Sequence, residues 1–190
     1  GEAATMSYAE RMAVIEAVVR RVDGRVPVIA GSGANCTETA IALSRDAVSA
    51  GADGLLVVTP FYNKATQRGL VRHYTAVADA AEKPVILYNV PSRTGVKCTA
   101  ETYAALAQHP NILGVKEAGG DLALIQKTRE LCPEDFYIWS GNDDETAPIM
   151  LLGGKGVISV AANVAPREMH ELTDACLRGD FLSAGKQQLH

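Results

Sequence analysis

Lys116 lies inside a short apolar run, residues 112–118, where a lysine is unexpected. Turn residues bound the run (Pro110-Asn111 and Gly119-Gly120), and this length predicts a strand that is buried on both faces. Burial disfavours an ammonium and lowers the pKa of the amine, and a neutral amine can attack a carbonyl to form a Schiff base. The alternative is a lysine at the strand end that reaches solvent or pairs with Glu117.

Two further side chains could share this chemistry. Tyr88 lies on the preceding apolar run at a depth that matches Lys116, so we expect the two to be neighbours if the strands are parallel. A tyrosine hydroxyl beside a Schiff-base lysine can relay protons, although a core aromatic would fit the same position. Arg93 follows in a turn framed by proline and glycine, where its guanidinium could hold a carboxylate or simply be solvated.

Strands and helices alternate strictly along the chain. The pattern predicts strands at 26–30, 55–59, 85–89, 112–118, 136–140 and 156–161. It predicts helices at 6–21, 37–50, 66–81, 99–109, 122–131, 146–152 and 166–177, with another from 181 onward. Ser7 and Glu10 have the spacing of a capping box, and Asp23-Gly24 would end the first helix. Each of the six strands is therefore followed by a helix.

This alternation predicts a parallel sheet with both faces covered. Two architectures have that property, a doubly wound open sheet and a (β/α)8 TIM barrel. The turn Gly31-Ser-Gly-Ala-Asn-Cys36 lacks the third glycine of a dinucleotide fingerprint, and no Walker loop is present. We expect residues 1–190 to form a single partial TIM-barrel domain that lacks the first two strands and the C-terminal helices. Polar and aromatic residues from six strand ends would then meet on one rim.

Bulk composition excludes several classes of function. The chain is 47% hydrophobic and 21% charged with a net charge of −4, so neither nucleic acid nor a membrane is expected as a partner. No histidine lies in metal-ligand spacing with cysteine or carboxylates, so no metal is expected, and the histidines are predicted at the surface. Reduced thiols and a cytoplasmic location are expected from four widely separated cysteines, Cys36, Cys98, Cys132 and Cys176.

Four segments carry a resemblance to a known family: Val58-Thr-Pro-Phe-Tyr-Asn-Lys64, Leu87-Tyr-Asn-Val-Pro-Ser-Arg-Thr-Gly95, Gly114-Val-Lys-Glu-Ala118 and Gly156-Val-Ile-Ser-Val160. From its first residue to its last, the chain resembles the dihydrodipicolinate synthase family of pyruvate-dependent class I aldolases. An arginine within Pro-Ser-Arg-Thr-Gly is more particular to the synthases than to relatives that use other aldehydes.

The resemblance implies a lyase that condenses pyruvate with L-aspartate 4-semialdehyde, giving 4-hydroxy-tetrahydrodipicolinate for lysine and diaminopimelate biosynthesis. It implies a homotetramer with no cofactor other than the covalent Schiff base. By resemblance, Lys116 forms the Schiff base with pyruvate, Tyr88 is the central relay tyrosine, Tyr62 reaches into a neighbouring protomer's site, Arg93 holds the semialdehyde carboxylate, and Gly141 and Ile158 line the pyruvate pocket. The alternatives are an N-acetylneuraminate or 2-keto-3-deoxy sugar acid lyase, or a barrel module without catalysis.

Two departures from the family pattern lead to further expectations. Gly1-Glu2 matches the end of the family's Gly-Thr-Thr-Gly-Glu motif, so the paired threonines, one of which completes the relay while both help to seat pyruvate, would precede the first residue. The second departure concerns feedback by lysine. Asn35 matches the allosteric site, but Thr39 replaces a glutamate, Arg11 a histidine and Phe61 a tyrosine. Without that carboxylate a cationic amino acid should bind poorly, so we expect weak or absent inhibition by lysine.

Overall fold

The computed structural model describes residues 2–189, which contain a five-stranded parallel sheet. The strands are β1 (Ile29–Gly31), β2 (Gly54–Val58), β3 (Val85–Asn89), β4 (Ile112–Glu117) and β5 (Tyr137–Ser140). The helices are α1 (Tyr8–Val22), α2 (Thr37–Ser49), α3 (Gln67–Ala81), α4 (Pro91–Thr94), α5 (Ala100–Leu106), α6 (Leu122–Leu131), α7 (Thr146–Leu151), α8 (Pro166–Leu177) and α9 (Phe181–Gln188). Short 3-10 turns occupy Ala3–Thr5, Asp143–Glu145 and Ala161–Asn163.

Helix boundaries follow local capping. The predicted capping box of α1 is present, with the Ser7 side chain and the Glu10 carboxylate each bonded to the other residue's backbone N–H. The helix ends at Asp23, whose backbone is left-handed. Thr66 and Asp121 cap α3 and α6 through their side chains. None of the helices within residues 2–189 combines the length and apolar character needed to cross a membrane.

Strand order distinguishes the two architectures that the sequence left open. Each strand pairs in parallel with the next along the chain, in the order β1-β2-β3-β4-β5. A doubly wound sheet reverses its order at a switch point, whereas a barrel winds in one direction. The main core packs the helix-facing side of the sheet against α2, α3, α5 and α6, and a second cluster joins α7, α8 and α9. The predicted α/β barrel architecture is confirmed, as part of a (β/α)8 barrel.

The predicted sixth strand at 156–161 is wrong. Only Val157 makes a parallel bridge, with Ser140, and the segment then turns into the 3-10 turn that starts at Ala161. The backbone N–H groups of Val160 and Ala161 donate to the Asp143 carboxylate, at 3.2 and 3.0 Å, rather than to a strand. Within residues 2–189 the ladder does not continue past this single bridge, so the apolar run does not form a regular strand.

The first strand is shorter than predicted and begins three residues later. Pro27 has no backbone N–H, and the N–H of Val28 donates to the Asp53 carboxylate at 2.8 Å. The Val28 carbonyl in turn accepts from the N–H of Asp53 at 2.9 Å. These bonds tie Val28 to the turn before β2, so regular pairing starts at Ile29 opposite Gly54.

Candidate active site

Lys116 lies near the C-terminal end of β4 and is 8% exposed. Its partner across the ladder is Tyr88 of β3, and the lysine Nζ lies 4.3 Å from the centroid of the tyrosine ring. The neighbouring strand on the other side places Trp139 of β5 opposite Lys116. The predicted proximity of Lys116 and Tyr88 is therefore present, with the amine over the ring face.

An irregularity in the pairing of β3 with β4 places Tyr88 opposite Lys116. Val85 pairs with Ile112, but Ile86 pairs with Gly114, so β4 contains one residue more than β3 before the ladder becomes regular. Gly114 is required beside this irregularity, because a Cβ there would lie 2.0 Å from the Tyr137 carbonyl oxygen. Beyond it, Tyr88 lies directly opposite Lys116. The alignment of the two side chains thus depends on a bulge as well as on depth in the run.

Burial shifts the pKa values of Lys116 and Tyr88 in opposite directions. Desolvation lowers the pKa of Lys116, and the Asp143 carboxylate acts in the opposite direction. Desolvation raises the pKa of Tyr88, which the Arg93 charge opposes. An amine whose pKa is lowered by burial therefore lies beside a phenol that keeps its proton at neutral pH. This combination suits attack on a carbonyl with proton transfer from a neighbour.

Glu117 is not the ion-pair partner of Lys116 that the sequence left as an alternative. It is 1% exposed and projects to the helix-facing side of the sheet, because successive strand residues point to opposite faces. Its carboxylate accepts bonds from Asn89 Nδ2 at 2.8 and 3.1 Å, the Tyr103 hydroxyl at 2.7 Å and the Gly119 N–H at 2.9 Å. Sequence analysis missed this cluster, although Asn89 and Glu117 directly follow Tyr88 and Lys116 and could have been paired by the same alternation.

Arg93 and Tyr62 lie in two adjoining loops. Arg93 is exposed in the single turn α4, and no carboxylate of residues 2–189 lies within 4.0 Å of its guanidinium. Thr94, which is buried, fixes this turn through bonds from its hydroxyl to the carbonyls of Val90 and Val96. Tyr62 is 89% exposed, has a left-handed backbone (φ 72°), and donates its N–H to the Thr94 carbonyl at 3.3 Å.

Gly141 lies directly against the lysine. A Cβ at this position would lie 3.0 Å from Lys116 Cε and 2.7 Å from the Ala118 Cβ. The Gly141 N–H donates to the Glu117 carbonyl, and the Ile158 N–H donates to the Ser140 carbonyl at the same strand end. The structure therefore brings Gly141 to Lys116 and places Ile158 beside the neighbouring residue of β5.

The histidines, all predicted at the surface, differ in their exposure. His73 was expected at the surface but is buried, with its Nδ1 2.9 Å from the Thr37 hydroxyl. His170 is exposed, and His190 lies outside the described residues. Within residues 2–189 no group of three or more His, Cys, Asp or Glu side chains is arranged to hold a metal ion.

The residues assigned to lysine feedback make contacts of their own around the end of β1. Asn35 and Asn63 are joined side chain to side chain and side chain to backbone, at 3.2 and 3.1 Å. The Arg11 guanidinium donates to the Gly31 carbonyl, and Thr39 is exposed on α2. These contacts do not test the response to lysine, which stays a prediction.

Known proteins that resemble this chain in sequence and in structure carry the same kind of name. The chain is 53% identical over 189 residues to a 4-hydroxy-tetrahydrodipicolinate synthase of Alkaliphilus oremlandii, covering 100% of this chain and 65% of the relative. It superposes with a TM-score of 0.97 on the dihydrodipicolinate synthase of Aquifex aeolicus, at 46% identity and with 100% and 65% coverage. The chloride-inhibited dihydrodipicolinate synthase of Acinetobacter baumannii, solved in complex with pyruvate, matches at 44% identity, a TM-score of 0.96, and 99% and 65% coverage.

The chain thus spans about 65% of the length of these relatives. The sequence pattern of the dihydrodipicolinate synthetase family matches residues 1–190. The chain therefore belongs to the dihydrodipicolinate synthetase family.

Proposed function

We propose that the protein containing this chain condenses pyruvate with L-aspartate 4-semialdehyde to give 4-hydroxy-tetrahydrodipicolinate. The observation that carries the proposal is the pairing of a buried lysine, Lys116, with Tyr88 at the C-terminal end of adjacent parallel strands. This is the end of a barrel at which catalytic groups gather. The names of relatives at 50–53% identity, and the pyruvate complex of the Acinetobacter baumannii protein, support the same activity.

In the proposed first step the Lys116 amine attacks the keto carbon of pyruvate. The C–N bond forms as the carbonyl π electrons move to oxygen, which takes a proton and gives a carbinolamine. Loss of water then gives the imine, and loss of a methyl proton gives an enamine that attacks the aldehyde carbon. The lowered pKa of Lys116 supports this role, because only the neutral amine has a free electron pair.

Tyr88 is proposed as the proton donor and acceptor for the carbinolamine. Burial raises its pKa, so its hydroxyl is protonated and able to donate at neutral pH. Tyr62 is proposed to extend the relay into the site of a neighbouring protomer in a homotetramer. Its 89% exposure and its position next to the α4 turn leave its ring available for such a contact.

The second substrate is proposed to bind through Arg93, whose guanidinium pairs with the semialdehyde carboxylate. Support comes from the ordered turn around Thr94 and from the absence of a competing carboxylate within residues 2–189. Gly141 and Ile158 are proposed to line the pyruvate pocket, since an added Cβ at Gly141 would crowd the lysine side chain.

The remaining parts of the proposal concern context. We place the reaction in lysine and diaminopimelate biosynthesis in the cytoplasm, with no cofactor beyond the Schiff base. Residues 1–190 are taken as one partial barrel domain. Support for a reducing compartment comes from the thiols of Cys36, Cys98, Cys132 and Cys176, which are all free in the structure.

Trapping with borohydride tests the central step. The complete polypeptide is incubated with pyruvate and borohydride, and the modified peptide is identified by mass spectrometry. We expect a reduced pyruvyl adduct on Lys116, its loss in Lys116→Ala, and its retention in Lys127→Ala. Lys127 is a matched control because it is exposed and paired with Glu130 on α6. A wild-type protein that is folded but gives no adduct would support the non-catalytic barrel instead.

Aldehyde preference separates the synthase from the sugar acid lyases. We expect turnover with aspartate semialdehyde and pyruvate to exceed turnover with N-acetylmannosamine or an aldose. Arg93→Ala should raise the KM for the semialdehyde while the trapping of pyruvate on Lys116 continues. Faster turnover with the sugar-derived aldehydes would replace the proposed reaction with a sugar acid lyase activity.

A further inference from the structure

The Glu117 cluster is a buried hydrogen-bonded carboxyl group for which the proposed reaction has no use. The carboxylate lies one residue after Lys116 and on the opposite face of the sheet, where it accepts all of the bonds in its cluster. Those bonds come from β3, from α5 and from the backbone just after β4. One side chain therefore connects the two strands that hold Tyr88 and Lys116 to the helix behind them.

The same cluster extends to the backbone of Tyr88. The Asn89 Oδ1 accepts from the Cys98 N–H at 3.1 Å, and the Asn89 carbonyl accepts from the Ala118 N–H at 2.9 Å. The Thr59 hydroxyl donates to the Tyr88 carbonyl at 3.0 Å and accepts from the buried Tyr74 hydroxyl at 3.2 Å. The ends of β2, β3 and β4 are thus fixed from the helix-facing side.

We propose that Glu117 is a positioning residue, whose ionised carboxylate holds the paired ends of β3 and β4 and thereby the spacing between Tyr88 and Lys116. The inference rests on the proposed Schiff-base chemistry. Three different donors point at the carboxylate, and an ionised carboxylate is acceptor-only, so the charged form satisfies all of them. A protonated Glu117 has to donate one bond, which would reverse the bond with Tyr103 or break one with Asn89 or Gly119.

Several titratable groups face Glu117 from the elements packed against it. Tyr74 lies on α3, Lys97 and Cys98 precede α5, and Tyr103 lies on α5, while Lys97 also pairs with Asp121 at the start of α6. Desolvation raises the pKa of Glu117 to about 7, and the bonds from Tyr103, Asn89 and Gly119 and the Lys97 charge limit that rise. The ionised form of Glu117, which is proposed to position the strands, therefore forms or is lost within the pH range in which the enzyme would work.

The test compares the rate of pyruvate trapping on Lys116 in the complete wild-type polypeptide and in Glu117→Gln, from pH 5.5 to 8.5. Glutamine is a neutral isostere of the protonated acid. The wild-type to variant ratio cancels the titration of Lys116 itself. We expect a ratio close to one at the lowest pH, rising to about ten- to hundredfold at the highest, as for a small misplacement of reacting groups.

Tyr103→Phe is a second test that leaves the Glu117 carboxyl group in place and predicts the direction in which the pH profile of trapping should move. Loss of the hydrogen bond from the Tyr103 hydroxyl should raise the pKa of Glu117. The increase in trapping rate that accompanies ionisation of Glu117 should then occur at higher pH. Glu130→Gln, on an exposed residue of α6, is the matched control and should leave the ratio near one throughout. Circular dichroism verifies that each variant is folded.

The outcomes separate the two proposals. Trapping by wild type with a ratio that does not change with pH shows a merely structural role and overturns the positioning role alone. An unshifted profile in Tyr103→Phe has the same meaning, and it remains available if Glu117→Gln does not fold. No adduct in the wild-type protein overturns the Schiff-base chemistry and the positioning role together.

Discussion

Glu117 makes the stability of the folded chain depend on pH in a way that can be measured without any substrate. Its pKa is about 7 in the folded state, compared with an ordinary value of 4.5, chiefly because the carboxyl group is desolvated. Glu117→Gln removes this titration while preserving the shape of the side chain. The quantity of interest is the difference in unfolding free energy between wild type and variant as a function of pH.

The sign follows from proton binding. Between the two pKa values the folded protein keeps a proton that the unfolded chain has released, so raising the pH favours unfolding. The stabilisation is complete below the unfolded value and is lost as the pH rises through about 7. A shift of this size corresponds to roughly 3 kcal/mol in full, most of which falls between pH 5 and pH 8.

Urea unfolding, followed by circular dichroism at one protein concentration, gives the difference in unfolding free energy between wild type and variant at pH 5 and at pH 8. We expect wild type to lose roughly 2–3 kcal/mol relative to Glu117→Gln over this interval, since other titrations are shared by both proteins. Glu130→Gln supplies the matched value for an exposed carboxyl group. A difference that stays constant with pH, or that changes in favour of wild type, would refute the assignment of a raised pKa to Glu117.

Three further predictions test the site, the core and the response to lysine. Gly141→Ala should slow pyruvate trapping at least tenfold, measured by borohydride quenching, because the new Cβ lies 3.0 Å from Lys116 Cε; an unchanged rate would argue against a pocket there. Leu87→Ala, which empties a fully buried position in β3, should lower the unfolding free energy by about 2–5 kcal/mol in urea titrations, and a loss under 1 kcal/mol would contradict the packing. Activity assays with added lysine should show no half-inhibition below the millimolar range, because Thr39 offers no carboxylate; potent inhibition would contradict this.

Most of the fold could be predicted because burial on two faces leaves a strong pattern. β2 to β5 and the helices α3, α5 and α6 occur where apolar runs and helical periodicity placed them, whereas the short helix α4 was predicted as a turn. The two errors in the strands lie where hydrogen bonding decides the structure. The run 156–161 is apolar enough for a strand, but its N–H groups at Val160 and Ala161 bond to the Asp143 carboxylate. Such a contact between distant segments leaves no trace in local composition.

The site was predictable to the extent that parallel strands align side chains by depth. Tyr88 and Lys116 could be paired from the sequence, whereas the irregularity between Val85 and Ile86 that makes them direct partners could not. The roles assigned to Tyr62 and Ile158 came from resemblance, as did the identity of the carboxylate that Arg93 would hold, and the structure supplies positions for these residues rather than roles. His73 was placed at the surface because a helix position alone does not say which face packs on α2.

Alternation along β4 links the position of Lys116 to that of the buried Glu117 carboxyl group. A slip of one residue in a strand exchanges its two faces, so it would move Lys116 towards the helices and Glu117 towards the site. Three donors hold Glu117 on the helix-facing side, and the close approach of Gly114 to the Tyr137 carbonyl fixes β4 against β5. Bonds that fix Glu117 on one face therefore fix Lys116 on the other. The position proposed for the Schiff-base amine therefore depends on the buried Glu117 cluster behind it as well as on the tyrosine beside it.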